Sequence, residues 1–421
     1  MGLVQQLMGT PLGRRPEAGG GEAEGGGVVG GCGLRSPDFC LVDGLEGLSP
    51  IPMSDHGLSG QLGNLVCGIG TNFLDGAEID RYCASRTPTG PLSKGMPSLG
   101  GFFFAPLSWS SRIMQYQKAP FTFEQQADQL LARGMAGNRT IMVARLSATN
   151  YYRLSGYWYT FRESDPGSAR TPRDTFKPGT TFDEVWARYV FDRRLRLLVM
   201  DAIERIEVAV RTQLAYHHAH DHGCFAYATE MQSLPKLGAQ EFADFVQRVR
   251  EETSRSKDTF VGHFRQKYGD CHNFLPVWML AEVMTFGTML TFYKSASRRV
   301  KQSVASDFGL PDAVFESWLL TLNAVRNICA HHGRLWNREL GVKPVIPRIS
   351  GYPEWHAPVK VGSNRVFAVL TICRHCLRKV APQSGWPSRV ELLLSGSPGI
   401  PLASMGFPGN WKECPIWRGS K

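Results

Sequence analysis

The sequence predicts an all-α domain over residues 114–421, preceded by a glycine-rich segment, residues 1–113, without regular structure. Within 114–421 the apolar residues recur at spacings of three and four, which is the period of an amphipathic helix. No alternation of apolar and polar residues, typical of a half-buried strand, runs for any length through this region. With 421 residues, 43% of them hydrophobic, the chain is long enough for one large or two ordinary domains.

Residues 1–113 hold roughly half of the 45 glycines, and neither helical nor strand periodicity is sustained in them. Because burial cannot offset the entropy of ordering such a segment, we expect it to be disordered. Two interpretations are open: a flexible regulatory tail, or a leader without function that reflects a start codon assigned too far upstream. The second is favoured because the segment carries no recognition motif, and Met114 is then the functional start.

Charge divides the chain at the same place. Residues 1–113 carry 7 Lys or Arg and 10 Asp or Glu, which leaves 40 basic and 27 acidic residues for 114–421. The net charge of +10 and the pI near 9.2 therefore come from the helical region. Such a balance favours a polyanionic partner.

The sequence also predicts a cytoplasmic protein that does not bind a membrane. No apolar run approaches the ~20 residues that span a bilayer, and the N-terminus lacks the charge and apolar core of a secretory signal. Ten scattered cysteines suit a reducing compartment. Cys373 and Cys376 form a single CxxC without the second pair of a zinc site, so we expect buried thiols.

Start signals and apolar periodicity place the helices. Thr122 is the expected start of the first helix, and a capping box from Thr181 to Glu184 opens a long helix that ends near His220. Its length predicts a break near Phe191 or a coiled pairing. Acid-before-base pairs are expected on its outer faces: Asp192 with Arg196, Asp201 with Arg205, and Glu207 with Arg211. Further helices are predicted at residues 240–254, 275–293, 298–308 and 364–380, with an irregular proline-rich stretch at 341–364.

Two other patterns allow more than one interpretation. Residues 150–162 are dense in aromatic residues and arginines, a mixture that can stack nucleic-acid bases but more often packs a core. The core is favoured, with Arg153 as the exception. His218 and His222 have the spacing of two metal ligands on a helix, although histidines before a glycine also cap helix ends. Capping is favoured over a metal site.

The stretch that carries the most specific chemistry is residues 324–338, AVRNICAHHGRLWNR. Arg326 and His331 bracket four residues, and the polar Asn327 follows the arginine directly. An apolar stripe at helical spacing precedes them: Val314, Trp318, Leu322, Val325 and Cys329. Asp312 is the expected N-cap of this helix and Gly333 the expected C′ residue, so the motif lies on its last turns.

Helix geometry limits what this motif can do within one chain. Asn327 and His331 are four residues apart and share a face, so the amide could hold the imidazole in one tautomer. Arg326 and His331 are separated by about 140° around the axis and about 7.5 Å along it. Two residues so placed converge poorly. Either the helix is distorted there, or two copies of the motif meet across an interface.

Five stretches give the region from about Met114 to the end a resemblance to a known family: 118–126, 150–158, 191–211, 326–338 and 400–417. They resemble the Abi-like (AbiD/AbiF type) bacterial abortive-infection proteins. The resemblance implies a HEPN-like helical bundle with additional helices. RNases of that type carry an Arg-(polar)-x(3 to 5)-His motif, which falls here on residues 326–331.

The resemblance assigns catalysis to Arg326, Asn327 and His331, with His332 also within the tolerated spacing. It implies a metal-independent endoribonuclease of an anti-phage system that needs no cofactor. Its histidine moves protons near neutral pH, its arginine stabilises the phosphorane, and its products end in a 2′,3′-cyclic phosphate and a 5′-hydroxyl. RNA is the expected substrate, and also a potential regulator, with Arg153, Arg334 and Arg338 as RNA-binding residues.

The divergence of Arg326 and His331 further predicts a homodimer with facing motif helices, and the helix from 182 to 220 is a candidate for the rest of that interface. The alternative is a catalytically silent HEPN module that binds RNA or protein. In that case Arg326 pairs with an acid and His331 only fills a helix end. No phosphate-binding loop, dinucleotide fingerprint, serine-hydrolase elbow or HExxH motif occurs in a fitting context.

Overall fold

Thirteen α-helices and no strands occur in residues 118–165, 167 and 172–418, the part of the chain that the computed structural model describes. The all-α prediction is therefore confirmed there. These residues fall within one compact unit, Ser110–Lys421. The predictions of disorder over 1–113 and of a functional start at Met114 lie outside the described residues.

The helices are α1 (Phe123–Ala132), α2 (Arg139–Thr149), α3 (Tyr151–Trp158), α4 (Phe182–His222), α5 (Ala226–Thr229), α6 (Ala239–Arg255), α7 (Thr259–Tyr268), α8 (Val277–Val283), α9 (Phe286–Ser295), α10 (Arg298–Asp307), α11 (Asp312–Ala330), α12 (Val366–Val380) and α13 (Trp386–Ser395). Short 3₁₀ turns lie at Tyr159–Phe161, Met231–Ser233, Pro353–Trp355, Leu402–Met405 and Trp411–Glu413. Between α11 and α12 the chain is irregular apart from one 3₁₀ turn, as the prolines predict.

The long helix α4 is the centre of the fold. It starts with the predicted capping box, in which the Thr181 hydroxyl accepts from the Glu184 N–H, and it runs unbroken for 41 residues. The expected break near Phe191 is wrong. Its predicted apolar stripe is fully buried: Val199, Ile203, Ile206, Val210 and Leu214. The helices that contact it include α3, α8, α10, α11, α12 and α13, so packing along its whole length supports an unusually long helix.

The same packing corrects two expectations about the surface of α4. The Asp192–Arg196 pair is buried, with 0% and 7% of the side chains exposed, and the two later pairs are partly buried. The prediction that these pairs lie on outer faces is therefore wrong. Neighbouring helices of the same chain cover most of α4, which leaves only single exposed apolar residues such as Leu197 and Val208 for any further interface.

Local signals predicted several boundaries well and one badly. Thr122 caps α1, and the helices expected at 240–254, 298–308 and 364–380 are present within two residues of their predicted bounds. The helix expected at 275–293 is wrong, because it is two helices, α8 and α9. Thr285 interrupts it: its hydroxyl accepts from the N–H of Thr288 and caps the second helix. Five helices with weak periodicity or short length were not predicted: α2, α3, α5, α7 and α13.

The motif helix α11 buries the predicted stripe against the core, with each of its five residues 9% exposed or less. It begins one residue earlier than expected, because Pro311 occupies the N-cap and Asp312 is the first helical residue. Cys373 and Cys376 of α12 are buried free thiols, as predicted. Among the described helices, none combines the length and the apolar character needed to cross a membrane.

Candidate functional site

The C-terminal end of α11 is closed by a Schellman motif. His331 is the C-cap, the N–H of His332 donates to the Cys329 carbonyl at 3.0 Å, and the N–H of Gly333 donates to the Ile328 carbonyl at 2.7 Å. The left-handed C′ position, with φ of 57°, is held by His332 and not by Gly333 as the sequence predicted. Glycine is the usual residue at this position, so a histidine there is strained.

A second strained residue lies beside the first. Only Asn150 and His332, among the non-glycine residues of the described chain, have positive φ, at 67° and 57°. Both line one cleft of about 410 Å³. Backbone strain of this kind concentrates at functional sites, where the surrounding structure holds it in place. Two unrelated segments that meet in this way mark the cleft as the candidate site.

The cleft is built by the start of α3 and the segment that follows α11. Its lining residues are Asn150, Tyr152, Arg153, Tyr157, His331, His332, Gly333 and Arg334. Both histidines are exposed, no acidic side chain lines the cleft, and two arginines do. Sequence reasoning missed Asn150 and Tyr152. Tyr152 is 85% exposed, whereas the nearby Tyr157 and Trp158 are buried. The sequence shows all three as one aromatic-rich stretch, so it does not distinguish the exposed tyrosine from the core residues.

Hydrogen bonds fix the two walls of the cleft to each other. The Arg153 guanidinium donates to the carbonyl of His332 at 2.7 Å, and the Arg334 guanidinium donates to the carbonyl of Gly156. A Cβ at position 156 would lie 3.3 Å from the nearest guanidinium nitrogen of Arg334, so glycine permits this close approach. The predicted RNA-binding residues Arg153 and Arg334 therefore both sit in the cleft and hold its geometry.

Beneath the cleft, Asp192 of α4 anchors the segment that follows the motif. Its carboxylate accepts from the Tyr157 hydroxyl at 2.7 Å, the Trp336 N–H at 2.7 Å and the Leu335 N–H at 3.1 Å, and it pairs with Arg196 at 2.5 Å. Burial raises the pKa of the Asp192 carboxyl, while Arg196 and the three other donors oppose that rise. One buried acid thus joins α3, α4 and the motif segment, a role that the sequence did not reveal.

The remaining predicted site residues lie outside the cleft. Arg326 is half-buried and forms no ion pair or hydrogen bond with any described residue through its side chain. The side chain of Asn327 is exposed and, in the described chain, makes no hydrogen bond to the His331 ring. Arg338 is exposed, and its Nε donates to the Arg334 carbonyl at 2.8 Å. Within one chain, then, Arg326 does not line the cleft that contains His331, in keeping with their separation around the helix axis.

The second histidine pair has a different environment. His218 is 0% exposed, neither of its ring nitrogens has a hydrogen-bond partner, and its ring lies 5.1 Å from that of His222. Burial lowers the pKa of His218 to about 4. Among the described residues, no group of three or more His, Cys, Asp or Glu side chains is arranged to hold a metal ion.

Comparison with known proteins bears on the region that contains the cleft. Residues 144–337 match the family model described as Abi-like protein. The match takes in the stretches at 150–158 and 191–211 and most of the motif stretch, whereas those at 118–126 and 400–417 lie outside it. Comparison with curated proteins and with solved structures gave no match. The resemblance noted in the sequence is therefore confirmed over residues 144–337, which are similar to the Abi-like protein family.

Proposed function

We propose that this chain is a metal-independent endoribonuclease that acts in abortive infection. The similarity of residues 144–337 to the Abi-like family suggests a role in that defence. The observation that carries the proposal is the position of His331, which is exposed at the end of the motif helix in a cleft lined by Arg153 and Arg334 and by no acid. Such a cleft attracts a phosphodiester and presents to it a group that can move protons near neutral pH.

Cleavage in this proposal is a transesterification. A neutral imidazole takes the proton of the RNA 2′-hydroxyl, and the 2′-oxygen attacks the adjacent phosphorus as the bond to the 5′-oxygen breaks. The imidazolium so formed donates its proton to that leaving oxygen, so the products carry a 2′,3′-cyclic phosphate and a 5′-hydroxyl. A guanidinium stabilises the charge on the phosphorane. General acid–base help of this kind contributes about 10²–10⁴-fold to the rate.

The active species in the proposal is a dimer in HEPN fashion. Because Arg326 does not line the cleft that holds His331, one chain does not present both groups to one phosphate. A two-fold axis beside the end of α11 brings His331 of one copy near Arg326 of the other, so each site takes its imidazole from one chain and its guanidinium from the partner chain. Asn327, exposed on the same helix, is then available to position the imidazole across the interface.

The alternative, a catalytically silent binding module, predicts a different ion pairing for Arg326. In that interpretation the guanidinium is neutralised by an acid, yet no described Asp or Glu pairs with it. An arginine without an acidic partner, on the same helix as an exposed histidine, favours the enzyme. His332 lines the same cleft, so the assignment of the catalytic role to His331 rests on the motif spacing and on the strained backbone that His332 occupies.

The test uses the purified full chain, a panel of single-stranded and structured RNAs, and excess EDTA. We expect cleavage in the chelator, 2′,3′-cyclic phosphate ends, and loss of cleavage but retention of RNA binding in His331→Ala. Loss of activity in EDTA with rescue by a divalent ion contradicts the mechanism. RNA binding without cleavage under all conditions identifies the silent module, and an active His331→Ala with an inactive His332→Ala moves the assignment by one residue.

A further inference from the structure

A second cleft, of about 450 Å³, lies between α6, α7 and the segment that precedes α8, and it shares no lining residue with the His331 cleft. An adjoining cavity of about 240 Å³ shares part of its wall. The residues that line the cleft include Arg250, Phe264, Arg265, His272, Asn273 and Phe274. Its volume is within the range of small-molecule binding sites.

Two arginines reach this cleft from different helices. Arg265 of α7 donates to the Thr253 carbonyl at 3.0 Å, and the Arg250 guanidinium of α6 lies 4.8 Å above the Phe274 ring. No acidic side chain lines the cleft, and neither arginine pairs with a described acid. The two acids that follow Arg250 on α6 are engaged elsewhere. Glu251 pairs with Arg255 and Glu252 accepts from Thr285 and Thr288.

Flat rings stand next to the two cations. The His272 ring stacks on Phe225 at 4.5 Å with planes 15° apart, and His272 is exposed. Phe274 is half-buried beneath Arg250. Asn273, which lies between His272 and Phe274 in the sequence, carries both a hydrogen-bond donor and an acceptor. Aromatic faces with an adjacent amide and guanidinium groups are the groups that bind a base and its phosphate.

The wall formed by α7 is held by a small core of its own. Val261, Phe264 and Leu275 are buried together in a cluster separate from the main core of the domain. Phe264 of this cluster also lines the cleft, so the position of Arg265 one residue later is fixed by local packing. The cleft is therefore a formed site rather than a gap between loose loops.

We propose that this second cleft binds a nucleotide, with the base against His272 and Phe274, its edge at Asn273, and the phosphate between Arg250 and Arg265. The same chemistry is offered by a free mononucleotide and by a nucleotide within an RNA chain. This site does not depend on the His331 cleft being catalytic, and it gives the protein a place for a regulatory nucleotide ligand away from the proposed reaction.

The experiment titrates the full chain with AMP, with adenosine, with inorganic phosphate and with a 5′-phosphorylated hexa-adenylate, in a His331→Ala background that prevents cleavage. The variant is Arg250→Gln with Arg265→Gln, and Arg248→Gln, an exposed arginine of the same helix outside the cleft, is the matched control. We expect the double variant to lose at least about tenfold in AMP affinity and the control to change less than about twofold. Photolabelling with 8-azido-AMP should mark peptides within residues 259–275.

A hexa-adenylate that binds much more tightly than AMP, with the same dependence on both arginines, identifies RNA as the ligand source. AMP that binds as tightly as the hexamer identifies a free nucleotide. Equal affinity of the double variant and of Arg248→Gln for both probes, or labelling confined to peptides of the His331 cleft, overturns the proposal. Cleavage by the otherwise unaltered chain is measured separately, so failure here leaves the proposed nuclease untouched.

Discussion

Two pairs of histidines end two helices of this protein, and the structure gives them opposite environments. His218 and His222 end α4, and His331 and His332 end α11. His218 is packed 4.9 Å from the ring of Phe292 with no exposed surface, whereas both histidines of the second pair are exposed in a cleft. Spacing on a helix decides which side chains share a face, but only tertiary packing decides whether a substrate can reach them.

The two pairs also differ in the unfavourable feature that each contains: unpaired ring nitrogens in one and a left-handed backbone in the other. The pair on α4, with His218 buried and His222 half-buried, leaves three ring nitrogens without partners: Nδ1 and Nε2 of His218 and Nε2 of His222. The exposed pair instead stores strain in the backbone of His332. Burial without hydrogen bonds keeps the His218 imidazole neutral, while the strained turn at the surface places two histidines on the wall of a cleft.

The largest expected effect is a difference in RNA cleavage between variants of the two histidine pairs. His331→Ala should reduce RNA cleavage by about 10²–10⁴-fold, because it removes a proton-transfer group, with little change in stability. His218→Leu should leave the rate of cleavage by the folded fraction unchanged. Initial rates on one labelled RNA, normalised to folded protein by circular dichroism, measure both. A His218 variant that folds normally yet fails to cleave contradicts this division of roles.

The next effect concerns Asp192, which fixes the segment behind the exposed pair. Asp192→Ala should lower the free energy of unfolding by about 3–5 kcal/mol, since it leaves Arg196 buried without its partner. The control is Asp201→Ala, whose partly exposed pairs with Arg205 and Arg389 should cost about 1 kcal/mol or less. Urea denaturation compares the two. Equal losses would mean that the buried contacts of Asp192 contribute no more to the free energy of unfolding than a partly exposed ion pair does.

The buried pair should appear in the pH dependence of stability. The pKa of His218 is about 4 in the folded protein against 6.5 when unfolded, so the unfolded chain gains the proton first on acidification. This histidine alone should then cost on the order of 3 kcal/mol of stability as the pH falls from about 6.5 to 4. His218→Leu should flatten that part of the profile. A His218→Leu profile as steep as that of the natural chain contradicts the assigned burial.

The smallest effect tests the strained turn. His332→Gly places the residue with least steric cost at the left-handed position, so we expect a gain of about 0.5–1 kcal/mol in stability. Cleavage should persist if His331 is the catalytic residue. Thermal melts and initial rates on the same preparations give both values. A loss of stability would show that the turn is not strained in this way.

The range of the interactions explains which features the sequence predicted and which it missed. The helix start at Thr122, the capping box at Thr181 and the buried stripe of α11 are signals within one helix, and they were predicted correctly. The continuity of α4, the burial of Asp192 and the exposure of Tyr152 depend on contacts with distant segments, so local patterns could not show them. The motif residues were found from spacing, but the cleft that holds His331 needed Asn150 and Tyr152 from a segment about 180 residues away.

The most direct test of the proposed active site, shared between two chains, is a mixing experiment. Arg326→Ala and His331→Ala chains, each inactive alone, are combined, allowed to exchange subunits, and assayed for RNA cleavage. Random exchange makes about half of the dimers mixed, and each mixed dimer holds one intact site, so we expect about a quarter of the activity of the natural chain. No recovery in mixtures shown by two affinity tags to contain mixed dimers, or full activity in a protein that sediments as a monomer, would contradict the shared site.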